Sequence, residues 1–351
     1  MKQVINLTQN KFDINELKSA IPQNYLLIFF CPVEWIDSIG QSVAQHYGNS
    51  IGCSSYKDIN KNVFEYNSVS FLGIQTNEVK LLLLKDIKEK VITYYKEIQS
   101  LKDIYRQNHS LLLEFTDGLS LAEESVLTVI SNELPDIPLI GGSAADSGNF
   151  TETKVCINGT CSSNAAAICM LTTPVEIEYY CENIYEPTDI KGVITDSELF
   201  ERKIHKINNI PAVDFYCDSL NVSKENMEKE FIYHPFARIT GDRYFITSLM
   251  GVDKSSFNVY CRSFKESYIS ICNPIDYRKL WEENSQKYAG KYCGGIFVNC
   301  IFRTQLFENE NTINSFQKYL DTFGDYICMT SYGEQYCDSH ANQTMTYCLF
   351  K

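Results

Sequence analysis

The sequence predicts an α/β fold in which repeated β-α-β-β units form mixed sheets with flanking helices, arranged as two tandem domains. An apolar strand, an amphipathic helix and a short strand ending in glycine and polar residues recur along the chain. The pattern covers residues 26–55, 111–144 and, more loosely, 296–334. A strand, a helix and a second strand in this order are typical of a parallel crossover.

Each unit has apolar side chains at helical spacing between its two strands, which predicts a helix packed on a sheet. These side chains are Ile36, Ile39 and Val43, then Val126, Val129 and Ile130, and finally Ile313, Phe316, Leu320 and Phe323. Ser120 and Glu123 have the spacing of a capping box, which predicts where the second helix begins. A further long helix, over 87–107, is expected to connect the first unit to the second.

Strand-like segments follow the glycine of each unit. They cover 63–74, 154–171 and 344–350. Asn158 and Gly159 tolerate the positive φ that a tight hairpin turn requires, so the second segment is expected to fold back on itself. The sheets are therefore expected to be mixed.

The spacing of the glycine motifs predicts the domain organisation. Gly52 and Gly141 are 89 positions apart (141 − 52), whereas Gly141 and Gly333 are 192 apart (333 − 141), which leaves room for a degenerate fourth unit. That unit is predicted to have helices over 212–220 and 224–231 and strands over 243–250 and 258–262. Two units in each of two domains, 1–205 and 206–351, is the simplest arrangement, with prolines punctuating the boundary region.

The composition excludes several classes of partner. A net charge of −13 with only 31 lysines and arginines argues against nucleic acid and anionic membranes, since both bind through clustered basic residues. The apolar run 26–31 is far shorter than the roughly 20 residues that span a bilayer, so no membrane insertion is expected. The first ten residues lack the apolar core of a secretory signal, and a cytoplasmic location is expected.

The fourteen cysteines are scattered along predicted strands and form no Cys-x-x-Cys pair. Buried free thiols are therefore the expected state of most of them. Cys156 and Cys161 flank the predicted hairpin and could meet. Cys337 and His340 have ligand-like spacing, but no two further ligands for zinc are evident, so no metal is expected.

Several motifs, taken in order, resemble those of the FIST family of sensory proteins, which have an N-terminal and a C-terminal FIST domain. The matching residues are Ile51 to Ser55, Leu139 to Asp146 with Phe150, Thr153, Val155, Asn158 and Gly159, then Asn299 to Arg303, Ser331 to Glu334 and Asn342 to Thr344. The resemblance covers nearly the whole chain from about residue 25 onward.

The resemblance implies intracellular sensing of a small ligand, and amino acids are the ligands it suggests. It implies signalling to a histidine kinase, a cyclic-dinucleotide enzyme or a chemotaxis receptor. Because the sequence shows no kinase or receptor segment, the output is expected to pass through a partner protein. One branch of the family, which looks like nitric-oxide sensors, binds haem. No cofactor is expected here, and haem is the alternative.

The glycine motifs also predict a pocket on physical grounds. Ligands of open α/β sheets bind beyond the carboxyl ends of strands, where glycine lets backbone amides approach closely. The expected ligand-binding residues are Gly52, Cys53, Ser54, Gly141, Gly142, Ser143, Asp146, Tyr332 and Gly333. The alternative is that the glycines only permit tight turns or close packing.

Arg303 and Glu334 complete the predicted site. Arg303 is expected at the end of the strand 296–302, and Glu334 follows the neighbouring glycine motif. An arginine that holds a carboxylate and a glutamate that receives an ammonium would together bind an α-amino acid. An internal salt bridge between the two residues is the alternative.

Haem and catalysis are the two other functions that the sequence allows. His205, His234 and His340 are the candidate axial ligands, together with a thiolate at Cys31. Candidate nucleophiles are Cys53, Ser143 and Cys300, but none has a histidine at a motif-like offset. A ligand-binding sensor is therefore expected rather than an enzyme.

Overall fold

The structure is a computed structural model that describes residues 2–60 and 63–351. Within these residues three sheets have six strands each. From one edge to the other, sheet 1 consists of Val4–Gln9, Val69–Ile74, Leu26–Cys31, Ser50–Ser54, Val155–Ile157 and Thr160–Ser162. In the same way, sheet 2 consists of Ser339–Ala341, Glu334–Tyr336, Leu139–Ser143, Ser110–Thr116, Ala165–Thr172 and Glu78–Lys85. Sheet 3 consists of Ile177–Asn183, Thr344–Phe350, Gly294–Cys300, Asp325–Ser331, Asp58–Asn60 and Val63–Glu65.

Each of these sheets contains one parallel strand pair, which is the crossover that the sequence predicts. The pairs are Leu26–Cys31 with Ser50–Ser54, Ser110–Thr116 with Leu139–Ser143, and Gly294–Cys300 with Asp325–Ser331. The apolar faces of the three sheets share one buried core. The predicted α/β class, with repeated units and mixed sheets in two tandem domains, is confirmed.

The short strand that follows each unit pairs with the sheet of a different unit. The exchanged pairs are Asp58–Asn60 with Asp325–Ser331, Val155–Ile157 with Ser50–Ser54, and Glu334–Tyr336 with Leu139–Ser143. The exchange forms a closed ring, because each unit gives one strand and receives one. It brings the glycine-ended strands of all three units to the centre of the molecule. The domain limits 1–205 and 206–351 stay a prediction.

The prediction of a fourth β-α-β-β unit is wrong. Residues 185–274 form an antiparallel fourth sheet, and its described strands contain no parallel pair that would need a crossover helix. Its strands are Arg243–Thr247, Phe236–Thr240, Tyr268–Pro274, Tyr185–Glu198, Lys203–Ile207, Ser256–Val259 and Leu249–Asp253, with Ile210–Pro211 beside Lys203–Ile207. The predicted helix at Ala212–Leu220 is present and buries its apolar side chains against this sheet.

The helices differ from the predicted ones in continuity. The α-helices are Ile14–Ala20, Val33–Ala44, Ile87–Lys90, Tyr95–Ser100, Glu123–Glu133, Ala212–Leu220, Tyr277–Tyr288, Ile301–Asn309 and Ile313–Leu320. Short 3₁₀ turns are Val91–Tyr94, Leu101–Ile104, Met227–Glu230 and Asp321–Phe323. The single helix predicted over 87–107 is thus interrupted once, at three consecutive β-branched residues, 91–93, which disfavour a regular helix, and it ends in the 3₁₀ turn Leu101–Ile104. None of the helices in the described part of the chain is long and apolar enough to cross a membrane.

The capping box predicted at Ser120 and Glu123 does not form. The helix begins at Glu123 with Ala122 as its N-cap. The Ser120 hydroxyl accepts a hydrogen bond from the Ala122 amide at 3.2 Å, while the Glu123 carboxylate contacts Arg202. The Glu123 carboxylate therefore pairs with a residue distant in sequence, and not with the backbone amide at the start of its own helix.

The hairpin predicted at Asn158 and Gly159 is present, with positive φ at both residues (46° and 78°). Cys156 and Cys161 lie opposite each other in this hairpin and form a disulfide. The other twelve cysteines are free, and most are buried, as expected.

Three buried carboxyl groups in the core give a pH prediction. Burial raises the pKa of Asp58 and of Glu114 to about 8, and that of Glu334 to about 7. In the unfolded chain these groups titrate near pH 4. Their contribution to stability is therefore fully present below about pH 4 and is lost as the pH rises towards 7–8. We expect the free energy of unfolding in urea to be lower at pH 8 than at pH 5 by about 1 kcal/mol or more.

Glu114→Gln tests the cause, since glutamine keeps the shape of the side chain and cannot ionise. We expect this variant to lose part of the pH dependence. Replacing the exposed Asp338 with asparagine should leave the dependence unchanged. A wild-type stability that is flat or rises between pH 5 and pH 8 would contradict the prediction.

Candidate functional site

The loops after the glycine-ended strands meet at the centre of the three sheets. The Ala145 amide donates to the Ser54 carbonyl oxygen at 2.9 Å, which joins the first two loops. The Tyr332 amide donates to the Ser143 carbonyl at 3.1 Å, and the Ser143 amide donates to the Gly333 carbonyl at 2.8 Å. The structure thus brings together the three segments that the sequence singles out.

The glycines in these segments serve close packing, which is the alternative interpretation of the sequence pattern. A Cβ atom would lie 2.5 Å from the Phe29 carbonyl oxygen at Gly52, 2.2 Å from the Glu114 carbonyl oxygen at Gly141, 2.4 Å from Val298 at Gly142 and 2.4 Å from the His340 ring at Gly333. These distances leave no room for a side chain. All four glycines are buried within the protein, and none of them lines the cavity beside Tyr332 that is described below.

Two further predicted residues are also engaged in the interior. The Cys53 thiol is fully buried, 3.7 Å from the Met329 sulfur. The Ser54 hydroxyl accepts a hydrogen bond from the Lys154 amide at 3.1 Å. Both side chains hold neighbouring strands together and have no access to a ligand from solvent.

The predicted amino-acid clamp of Arg303 and Glu334 is not formed. Arg303 lies in the helix Ile301–Asn309 and not at a strand end, is 0% exposed, and pairs with the Glu182 carboxylate at 2.6 Å. Glu334 accepts hydrogen bonds from the Ser331 hydroxyl at 2.7 Å and from the Thr344 hydroxyl at 2.9 Å. Both side chains have partners within the protein, so neither the clamp nor the alternative salt bridge between them is formed.

A cavity of about 440 Å³ opens beside Tyr332. It lies beyond the carboxyl ends of Ser110–Thr116 and Asp325–Ser331, which belong to the parallel pairs of two different sheets. This is the position at which open α/β folds bind ligands. Its volume lies within the roughly 300–1,000 Å³ of small-molecule sites. Most of the wall is apolar or aromatic, from Leu119, Leu121, Phe150, Met250, Tyr260 and Tyr332.

Asp146 organises one wall of the cavity. Its carboxylate accepts hydrogen bonds from the backbone amides of Gly148, Phe150, Thr151 and Glu152 at 2.7–3.3 Å and from the Tyr332 hydroxyl. Burial alone would raise the pKa of Asp146, but these donors outweigh burial and hold the pKa below its usual range. The loop so fixed stacks the Phe150 ring on Tyr332, with centroids 4.7 Å apart.

The floor of the cavity carries an ion pair that the sequence pattern does not predict. Arg202, 3% exposed, donates from Nη2 to Glu123 at 2.7 Å and to Glu124 at 2.6 Å. The two carboxylates outweigh burial and raise the pKa of Arg202, and the same pairing lowers the pKa of Glu123. The floor is therefore ionised at neutral pH.

His340 lies beside this charge pair and lines the cavity. Burial lowers the pKa of its imidazole, so the ring is neutral at pH 7. The Gln335 side-chain nitrogen is 3.4 Å from His340 Nδ1 and donates to the Ser143 hydroxyl at 3.0 Å. The predicted residues Ser143 and Tyr332 are thus linked to the site, the first through Gln335 and the second directly.

Three of the residues that line the cavity have a left-handed backbone. Leu121, Phe150 and Arg202 have φ of 56°, 54° and 48°. For residues with a side chain this conformation costs about 1–2 kcal/mol each. Strain of this kind concentrates at functional sites, where the surrounding structure maintains it.

The three candidate nucleophiles, Cys53, Ser143 and Cys300, are buried. Burial raises the pKa of the Cys53 and Cys300 thiols well above the usual value, so neither is a thiolate at neutral pH. The Ser143 hydroxyl is buried, and among the described residues no histidine ring is hydrogen-bonded to it.

Three of the four candidate haem ligands, His205, His234 and Cys31, lie outside the cavity. Both ring nitrogens of His205 are hydrogen-bonded within the protein, and His234 Nδ1 is 2.9 Å from Asn273. Burial raises the pKa of the Cys31 thiol well above its usual value. Of the four candidates, His340 alone lines the cavity, and its Nδ1 lies 3.4 Å from the Gln335 side-chain nitrogen. Residues 2–60 and 63–351 contain no cluster of three metal-ligating side chains.

Comparison with known proteins places these features in a family. The FIST N domain model matches residues 25–210, and the FIST C domain model matches residues 212–337. An uncharacterised protein of Methanocaldococcus jannaschii is 25% identical over 273 residues, which are 72% of this chain and 52% of that protein. This chain therefore spans about half the length of that relative.

Both domain models match in the expected order, and together they cover most of the sequence. The chain belongs to the FIST family of sensory signal-transduction proteins.

Proposed function

We propose that this protein binds a small molecule in the cavity beside Tyr332 and passes its occupancy to a signalling partner in the cytoplasm. The observation that carries the proposal is the cavity itself, which lies where repeated units meet the antiparallel sheet. Its aromatic wall, its buried ion pair and its strained backbone converge on one space. A mainly apolar pocket with a few fixed polar groups is typical of small-ligand sites.

The route from ligand to partner follows from which elements form the cavity. The second unit supplies Glu123 and Phe150, the third supplies Tyr332, and the antiparallel sheet and its turns supply Arg202 and Met250. A ligand that contacts all of them favours one relative position of these elements. Phe200, 74% exposed and close to Arg202 in the chain, offers an apolar contact at the surface of the same turn. Histidine kinases, cyclic-dinucleotide enzymes and chemotaxis receptors are the partner classes that the family suggests.

A thermal-shift screen tests the proposal. We expect at least one small metabolite from a panel that includes the amino acids to raise the melting temperature, because a ligand that binds only the folded state stabilises it. Phe150→Ala should reduce the shift, since it removes half of the stacked pair in the wall. Phe150 is 49% exposed, so the variant should still fold.

Ile92→Ala is the matched control, because Ile92 is 71% exposed and lies outside the cavity. It should retain the full shift. No stabilising compound in the panel, or a shift that is equal in both variants, would contradict the proposal. A visible spectrum after incubation with haem, and an assay for turnover of any hit, test the haem and enzyme alternatives.

A further inference from the structure

The walls of the cavity favour a flat ligand. Phe150 and Tyr332 are stacked with an interplanar angle of 16°, and Phe150 remains half exposed although one face is covered. Leu121 and Met250 are also about half exposed and line the same space. Exposed apolar side chains around a cavity are stabilised when a planar apolar body covers them.

The floor of the cavity is balanced in charge. The charged side chains that line it, Glu123 and Arg202, form one carboxylate–guanidinium pair. Behind this pair, Glu124 also contacts Arg202, at 2.6 Å, and lies 3.6 Å from the Nε of Arg262. A ligand with a net charge would leave one buried charge without a partner, which is costly away from water. The floor therefore disfavours anions and cations alike.

The same floor has unused hydrogen-bonding capacity. In the described part of the chain, the hydrogen bonds of the Arg202 side chain all leave from Nη2, so its Nε and Nη1 donors have no partner there. Glu123 Oε1 accepts a long hydrogen bond, of 3.4 Å, from the Ser143 hydroxyl. Donors on Arg202 thus lie next to an acceptor on Glu123. A group with an acceptor oxygen beside an N–H donor matches this arrangement.

We infer that the cavity binds a neutral, flat aromatic molecule with an amide-like edge, whose oxygen accepts from Arg202 and whose N–H donates to Glu123. The inference rests on the proposed function and names the ligand class of the same site. The inference excludes free amino acids as ligands. An amino acid carries a carboxylate and an ammonium, and the floor offers no unpaired charge to either group.

Isothermal titration with matched bicyclic probes tests the inference on the full chain. The probes are 2-quinolone, which has the amide-like edge, quinoline-2-carboxylate, which is an anion of similar size, and L-tryptophan, which is a zwitterion. We expect 2-quinolone to bind at least about tenfold more tightly than either of the others. A charge that is buried without a partner costs at least as much free energy as a tenfold difference in affinity.

The variant Glu123→Gln tests the role of the floor charge. Glutamine still accepts a hydrogen bond but removes the negative charge, so the preference for 2-quinolone over quinoline-2-carboxylate should shrink at least about tenfold. Met250→Ala is the matched control. It removes part of the apolar wall and should weaken both probes by a similar factor. Should Glu123→Gln fail to fold, the ranking of the probes in the wild-type protein decides the question alone.

Tighter binding of quinoline-2-carboxylate or L-tryptophan than of 2-quinolone would overturn the inference and leave the proposed function intact. The same holds if no probe binds while another compound gives a thermal shift that depends on Phe150. If neither the probes nor any compound of the wider panel binds, the proposed function fails as well.

Discussion

Replacing Arg303 with alanine is expected to lower the free energy of unfolding by about 3–5 kcal/mol, as for a buried ion pair that loses one partner. Arg303 is fully buried, and its guanidinium donates to the Glu182 carboxylate at 2.6 Å and to the Glu182 carbonyl at 3.0 Å. The Tyr319 hydroxyl also donates to Glu182, at 2.9 Å. Without the arginine, the Glu182 charge stays in the core with no cation beside it. Urea unfolding followed by circular dichroism measures the loss.

The double variant Arg303→Met, Glu182→Gln is the control. Glutamine still accepts from Tyr319, and neither new side chain is charged, so we expect recovery of more than half of the lost stability. The affinity of any ligand of the Tyr332 cavity should be unchanged in the folded double variant, because Arg303 does not line that cavity. A stable Arg303→Ala variant that loses ligand binding would contradict this assignment and favour the amino-acid clamp expected from the sequence.

Arg303 also shows where the sequence could and could not predict the structure. The repeated strand–helix–strand pattern depends on local periodicity, and the three parallel crossovers formed at the expected places. The partner of a buried charge depends on which elements pack together. Glu182 is 121 residues away in a strand of another segment, and no local pattern connects the two residues.

The candidate site was only partly predictable for the same reason. Tyr332 and Asp146 follow glycine-ended strands, so the rule that ligands bind beyond strand ends could find them. Arg202 lies in the region that the sequence pattern assigns to the domain boundary, where it predicts no site residue. Its position beside Glu123 follows from the packing of the antiparallel sheet against the second unit. Its positive φ is visible only in the folded chain.

Asp146→Ala is expected to cost about 1.5–3 kcal/mol of unfolding free energy, since it removes the charged acceptor of several part-buried backbone amides and of one buried hydroxyl. Four backbone amides and the Tyr332 hydroxyl lose their acceptor, so the loop that carries Phe150 is no longer held against Tyr332. We expect ligand affinity to fall at least about tenfold, because binding must then also order the loop.

Asp338→Ala, a change at an exposed aspartate outside the cavity, should leave both quantities unchanged.

The pH dependence gives an independent check. Because the folded pKa of Asp146 lies below the ordinary value, its contribution is fully present above about pH 4 and is lost as the pH falls through the folded pKa. The stability difference between wild type and Asp146→Ala should therefore be constant from pH 5 to pH 8 and shrink only in acid. A difference that instead disappears between pH 5 and pH 8 would mean that another group, and not the Asp146 carboxylate, holds the loop.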